Sequence, residues 1–173
     1  MRVTPVLGVV LAAVTVQAAL ARYTVGGQWA FDLVLVGVVY ASLLWGPAAG
    51  ILSGTLGGLL QDLLAGTIIG VGGLAKTVVG FVAGSIGAQF VLGRAGVRTA
   101  VVVAATPVHR LMVMGMMALI DQQWTGIPWG ALAGELAING LVAFAAFQLT
   151  DAAPGLAERG RLSRRSGLGR RNW

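Results

Sequence analysis

Apolar residues run along this chain in long unbroken stretches, separated by short polar or glycine-containing breaks. The first stretch spans Val3 to Ala21, between Arg2 and Arg22. A polar loop from Arg22 to Gln28 follows. Further stretches cover Trp29–Leu44, Pro47–Leu64, Val71–Leu92, Thr99–Ile120 and Trp129–Leu149. Most approach the ~20 residues that a helix needs to cross a bilayer, whereas barrel strands alternate over about ten. Trp45-Gly46-Pro47 is a turn signal, and Pro47 suits the first turn of a new helix. The pattern predicts an all-α polytopic membrane bundle of about six transmembrane helices over residues 1–150. Residues 151–173 are polar, Gly-rich and Arg-rich, and are expected to be a disordered tail. Ala19-Leu20-Ala21 has the form of a signal-peptide cleavage site. A retained first helix is the expectation, because the stretch is longer than a signal core and its removal would upset the charge parity described next.

Composition reinforces the membrane reading: 57% of residues are hydrophobic and 10% charged, against about 25% charged in ordinary soluble domains. The net charge of +6 is unevenly placed. Half of the twelve basic residues lie after Ala157, at Arg159, Arg161, Arg164, Arg165, Arg170 and Arg171. Such a tail reads as a cytoplasmic anchor to anionic headgroups; it has no interleaved aromatics that would suggest nucleic acid. With six crossings and the N-terminus inside, Arg2, Arg94, Arg98 and the tail fall on one side. Arg22, Asp121 and Asp32 fall on the other. Five crossings would split Arg2 from the tail. Trp124 and Trp129 flank the last turn, as expected at headgroup level.

Four ionisable residues fall inside the predicted helices: Asp62, Lys76, Arg110 and Glu135. Each is costly in lipid unless partnered or hydrated. Asp62 and Lys76 are equidistant from Ile69 between helices three and four. Arg110 and Glu135 are nearly equidistant from Gln122-Gln123. Two intramembrane ion pairs are therefore expected, Asp62 with Lys76 and Arg110 with Glu135. The opposite-charge balance favours a structural role over a solute or proton path. His109, the lone histidine, is read as a packing residue; with no cysteine and no ligand cluster at metal spacing, no metal or cofactor is expected. Gly50, Gly54 and Gly58, then Asp62, recur every four residues, as do Lys76, Gly80, Gly84 and Ala88. Such stripes let two backbones approach in lipid, so helices three and four are expected to pack face to face. Gly70 to Gly73 lacks the Gly-Lys-Ser/Thr ending of a phosphate loop, and no nucleophile–base pair or zinc motif is visible.

The stretch Gly46-Pro47-Ala48-Ala49-Gly50, Gly54, Gly57-Gly58-Leu59-Leu60-Gln61-Asp62-Leu63-Leu64-Ala65-Gly66, Gly70, Leu74 and Gly80-Phe81 resembles the MreD family of bacterial rod shape-determining membrane proteins. The resemblance covers roughly residues 31–90; the basic tail has no counterpart in it. It implies a non-enzymatic scaffold of the peptidoglycan elongation machinery in the bacterial cytoplasmic membrane. Such a scaffold partners a bitopic MreC-like protein and acts alongside MreB filaments and cell-wall synthases. It also implies a fold similar to the substrate-binding subunits of energy-coupling factor vitamin transporters. A solute-binding transporter subunit is therefore the second reading. Helices one and two are the expected partner-binding elements, since the stripes occupy three and four.

Overall fold

The computed structural model describes residues 3–20, 31–90, 93–121, 126–127 and 129–168, with side chains from 153 onward left aside. Arg2, Arg22, Trp29, Trp124, Arg170 and Arg171 lie outside the described residues, as do the side chains of Arg159, Arg161, Arg164 and Arg165. Six helices form: α1 (Val3–Leu20), α2 (Leu33–Trp45), α3 (Pro47–Ala65), α4 (Val71–Gln89), α5 (Ala95–Asp121) and α6 (Trp129–Leu168). No strand occurs among the described residues. Five helices are long and apolar enough to span a membrane: Val3–Leu20, Pro47–Ala65, Val71–Gln89, Ala95–Ile120 and Trp129–Ala152. The protein is a polytopic membrane helix bundle.

The remaining helix, α2, departs from its expected bounds. α2 has 13 residues, roughly 20 Å of rise against a hydrocarbon core of about 30 Å. It starts at Leu33 because Asp32 ends the preceding chain as an N-cap, its side chain accepting from Leu35 N–H at 2.9 Å. Apolar residues surround this helix on all sides, and such a helix must be enclosed. Eight of its residues are buried, from Val34 through Ser42. It forms the axis of the bundle. Leu35, Val36 and Val39 meet Val79, Ala83, Val102, Ala143 and Phe147 on one side. Val34 and Val38 meet Val10 and Val14 of α1 on the other.

α3 and α4 form the closest pair. A Cβ on Gly50 would strike the Gly80 carbonyl, one on Gly54 the Lys76 carbonyl, and one on Gly58 the backbone of Gly73. One on Gly84 would strike Pro47. The contacts run 47–84, 50–80, 54–76 and 58–73, an antiparallel register in which the small residues of each helix face the other's backbone. Lipid supplies no hydrophobic drive between helices, so this contact depends on packing and hydrogen bonds. Thr55 and Thr77 add a hydroxyl–hydroxyl bond of 2.9 Å across the seam.

α6 does not end with its apolar stretch at Leu149. It runs on to Leu168, so the segment expected to be disordered is helical that far. The first turn past Leu149 is held by Asp151, bonded to Arg98 at 3.0 Å. This bond sets the start of α5 and the end of the α6 span at one level. Arg94 and the end of the α6 span therefore lie on the same face.

Candidate intramembrane polar site

The buried start of α2 organises the polar interior. A helix N-terminus exposes N–H groups that need acceptors, and here those acceptors come from other helices. Gln17 of α1 accepts from Val34 N–H at 3.0 Å. Asn139 of α6 accepts from Asp32 N–H at 2.9 Å and donates to Thr106 of α5 at 3.4 Å. The Asp32 carboxylate carries the main charge. The Lys76 ammonium of α4 lies 2.7 Å from its Oδ2, with both side chains under a tenth exposed. The same ammonium is 3.1 Å from His109 Nε2 on α5. Asp32, Lys76 and His109 thus tie α2, α4 and α5 together, while Gln17 and Asn139 bring in α1 and α6.

The expected partnership of Lys76 with Asp62 is corrected. Asp62 Oδ2 accepts from the backbone N–H groups of Gly70, Gly72 and Gly73 at 2.9, 3.1 and 3.2 Å. An anion is favoured at a helix N-terminus by both the unpaired N–H groups and the helix dipole. Asp62 caps α4, and Lys76, one turn beyond Gly72, turns toward the axis helix. Local chemistry arranges this. Gly66 ends α3 at φ 65, the left-handed conformation that lets the chain double back. Gly72 must lack a Cβ, which would collide with the Asp62 carboxylate. Asp62→Ala is therefore expected to destabilise the fold by about 1–2 kcal/mol, the usual loss for a cap. Asp62→Asn should lose less. Thermal unfolding in mild detergent would measure both, and an Asp62→Ala protein as stable as the parent would refute the cap.

On the other side, Arg110 approaches Glu135 at 3.7 Å, with Glu135 buried and Arg110 about a fifth exposed. This spacing is long for a hydrogen bond. His109 adjoins the same cluster, its Nδ1 3.9 Å from Asp32 Oδ2. Asp32, His109 and Glu135 place candidate ligand atoms within 4.8 Å of one another. The bonding pattern argues against a metal there. A lysine ammonium can only donate, so His109 Nε2 is the acceptor and a neutral ring carries its proton on Nδ1. A protonated Nδ1 cannot ligate, and the ammonium already supplies the cation that Asp32 needs.

These groups face a cavity of about 190 Å³. Its wall includes Asp32, Gln61, Asp62, Lys76, His109 and Glu135, with apolar Phe31, Val113 and Met117. Gln61 Oε1, His109 Nδ1 and Glu135 Oε2 are buried without a hydrogen-bond partner among the described residues. Gln17 and Asn139 carry no signal in the sequence, Asp32 is buried and not at the outer surface, and His109, expected as a packing residue, meets Lys76. An acid directly before the unbroken run Leu33–Val39 was the available signal for Asp32, as an N-cap inside the apolar segment.

A family model described as rod shape-determining protein MreD matches residues 3–143. No curated protein and no solved structure matches the chain. The family match spans all of α1 to α5 and the polar site through Asn139, so the chain belongs to the MreD family of rod shape-determining membrane proteins.

Proposed function

We propose that the chain is a non-enzymatic scaffold of the peptidoglycan elongation machinery, holding a bitopic MreC-like partner in the cytoplasmic membrane. The observation that carries this reading is the use of the interior charge. Asp62 caps α4, Lys76 serves Asp32 and His109, and Arg110 lies beside Glu135. These groups fix helix register, and no nucleophile–base pair stands among them. MreB filaments and cell-wall synthases would be reached indirectly. On this reading both termini are cytoplasmic: Arg94 and Arg98 sit at the level where the α6 span ends, and positive residues gather inside.

The partner surface narrows from α1 and α2 to α1, since α2 is enclosed by its neighbours. α1 buries Val6, Val10, Val14 and Gln17 and leaves Leu7, Leu11 and Val16 to lipid. A photoreactive residue at Leu11 should crosslink the partner in native membranes, and mild-detergent pull-down should recover it with cell-wall synthases. Crosslinks confined to α3 and α4 would overturn the surface. Recovery of paired ATPases with a second polytopic subunit would overturn the scaffold and favour a solute-binding transporter subunit. The cavity beside Asp32, with three buried polar atoms that make no hydrogen bond, is the observation that supports that second reading.

A further inference from the structure

A second cavity opens on the outer surface between α4 and α5. It has a volume of about 520 Å³ and is walled by Val, Ala and Ile side chains. Val78, Val82 and Ile86 form one side, and Val97, Ala100, Ala104 and Val108 the other. Several wall residues face outward, Val82 at 49% and Val97 at 47% exposure. From Val97 to Val108 the groove extends roughly 16 Å along α5, at 1.5 Å per residue. That is one leaflet of a hydrocarbon core about 30 Å thick. A transmembrane helix of a partner would need a groove twice as long.

The groove ends where charge begins. Gly87 and Arg98, next in sequence to Ile86 and Val97, line a separate half-polar pocket of about 330 Å³ with Leu43, Leu44, Gln89 and Phe90. Arg98 is held there by Asp151 and lies 5.6 Å over the Phe147 ring. Arg94, one turn earlier, is exposed at the same end. Basic pockets between transmembrane helices at headgroup level suit acidic lipid headgroups.

We propose that this composite groove is a binding site for one anionic glycerophospholipid. An acyl chain lies between α4 and α5, and the phosphate end sits at Arg94 and the pocket beside Arg98. The occupant comes from the leaflet that also faces the arginine tail, so the lipid and the tail belong to one membrane surface.

The test is native mass spectrometry of the full chain in mild detergent, titrated with phosphatidylglycerol or with phosphatidylcholine. The parent protein should take up a first phosphatidylglycerol at lower concentration than phosphatidylcholine. Arg94→Gln should weaken that first site about fivefold, the effect of one basic residue near an acidic headgroup, and leave phosphatidylcholine uptake unchanged. Ala104→Trp should reduce uptake of both lipids by filling the groove. Val82→Trp fills it from the opposite wall and serves if Ala104→Trp fails to fold. Changing Arg159, Arg161, Arg164 and Arg165 together to Gln should leave the first site intact. Lipid preference that survives the groove variants but disappears with the tail arginines would overturn the proposal. So would equal uptake of the two lipids by the parent, or a photoreactive residue at Val82 that labels a protein in native membranes and no lipid.

Discussion

Gly54→Val is expected to separate α3 from α4 and to destabilise the bundle by more than about 3 kcal/mol, beyond the usual overpacking range. The reason is what a side chain would meet. A single Cβ at Gly54 already falls on the carbonyl of Lys76 and on Thr77 Cα. These are backbone atoms in the middle of a helix, so no rotamer change relieves the collision. α4 would have to move outward, carrying Lys76 away from Asp32 and stretching the Thr55–Thr77 bond. The damage therefore reaches the polar site through the seam. Gly115→Ala and Gly134→Ala are the controls, because an added Cβ there meets nothing within 4 Å. Both should be neutral or slightly stabilising, since alanine is the better helix former. Unfolding of the purified protein in mild detergent, followed by circular dichroism, distinguishes the cases. A Gly54→Val protein that melts with the parent would mean that α3 and α4 are not packed backbone to backbone.

That seam was legible in the sequence because it is periodic. Small residues every four positions on two neighbouring helices have few uses in lipid other than close approach. Helix bounds were legible where a turn signal marked them, as at Gly46-Pro47. The polar site was harder to read. Equal spacing from a loop predicts equal depth only if the loop is symmetric, and here Lys76 lies opposite Gly54, about two turns along α3 from Asp62. Asp62 is drawn to the unpaired N–H groups of α4, an interaction with backbone that no pairing of charged letters reveals. Asp32 was hidden by the assumption that a membrane helix begins at the membrane surface. α2 begins inside the bundle, so its N-cap and the acceptors from Gln17 and Asn139 lie at the centre. Neutral amides of this kind carry no charge to announce themselves. The basic tail was read from composition alone, and composition did not show that α6 would carry its helix on to Leu168.

Lys76→Met is expected to be the most damaging change outside the seam, and its effect should depend on Asp32. Methionine fills a similar volume without charge. It leaves the Asp32 carboxylate buried with its N-cap bond to Leu35 but without the ammonium at 2.7 Å. Breaking a buried pair by removing one partner typically destabilises by 3–5 kcal/mol, because an uncompensated charge remains. His109 Nε2 loses its donor in the same step. Asp32→Asn should recover much of the loss when combined with Lys76→Met, since Asn still caps α2 and no buried charge is left over. The double variant should therefore be more stable than Lys76→Met alone, a non-additive result that a double-mutant cycle measures directly. If the two substitutions were instead additive, the 2.7 Å contact would not be an energetic pair, and the axis helix would be held by Gln17, Asn139 and packing. Rod shape in cells carrying these variants gives the functional arm. On the scaffold reading, Lys76→Met should round the cells and the double variant should restore them. Recovery of stability without recovery of shape would show that the charges themselves take part in what the protein does.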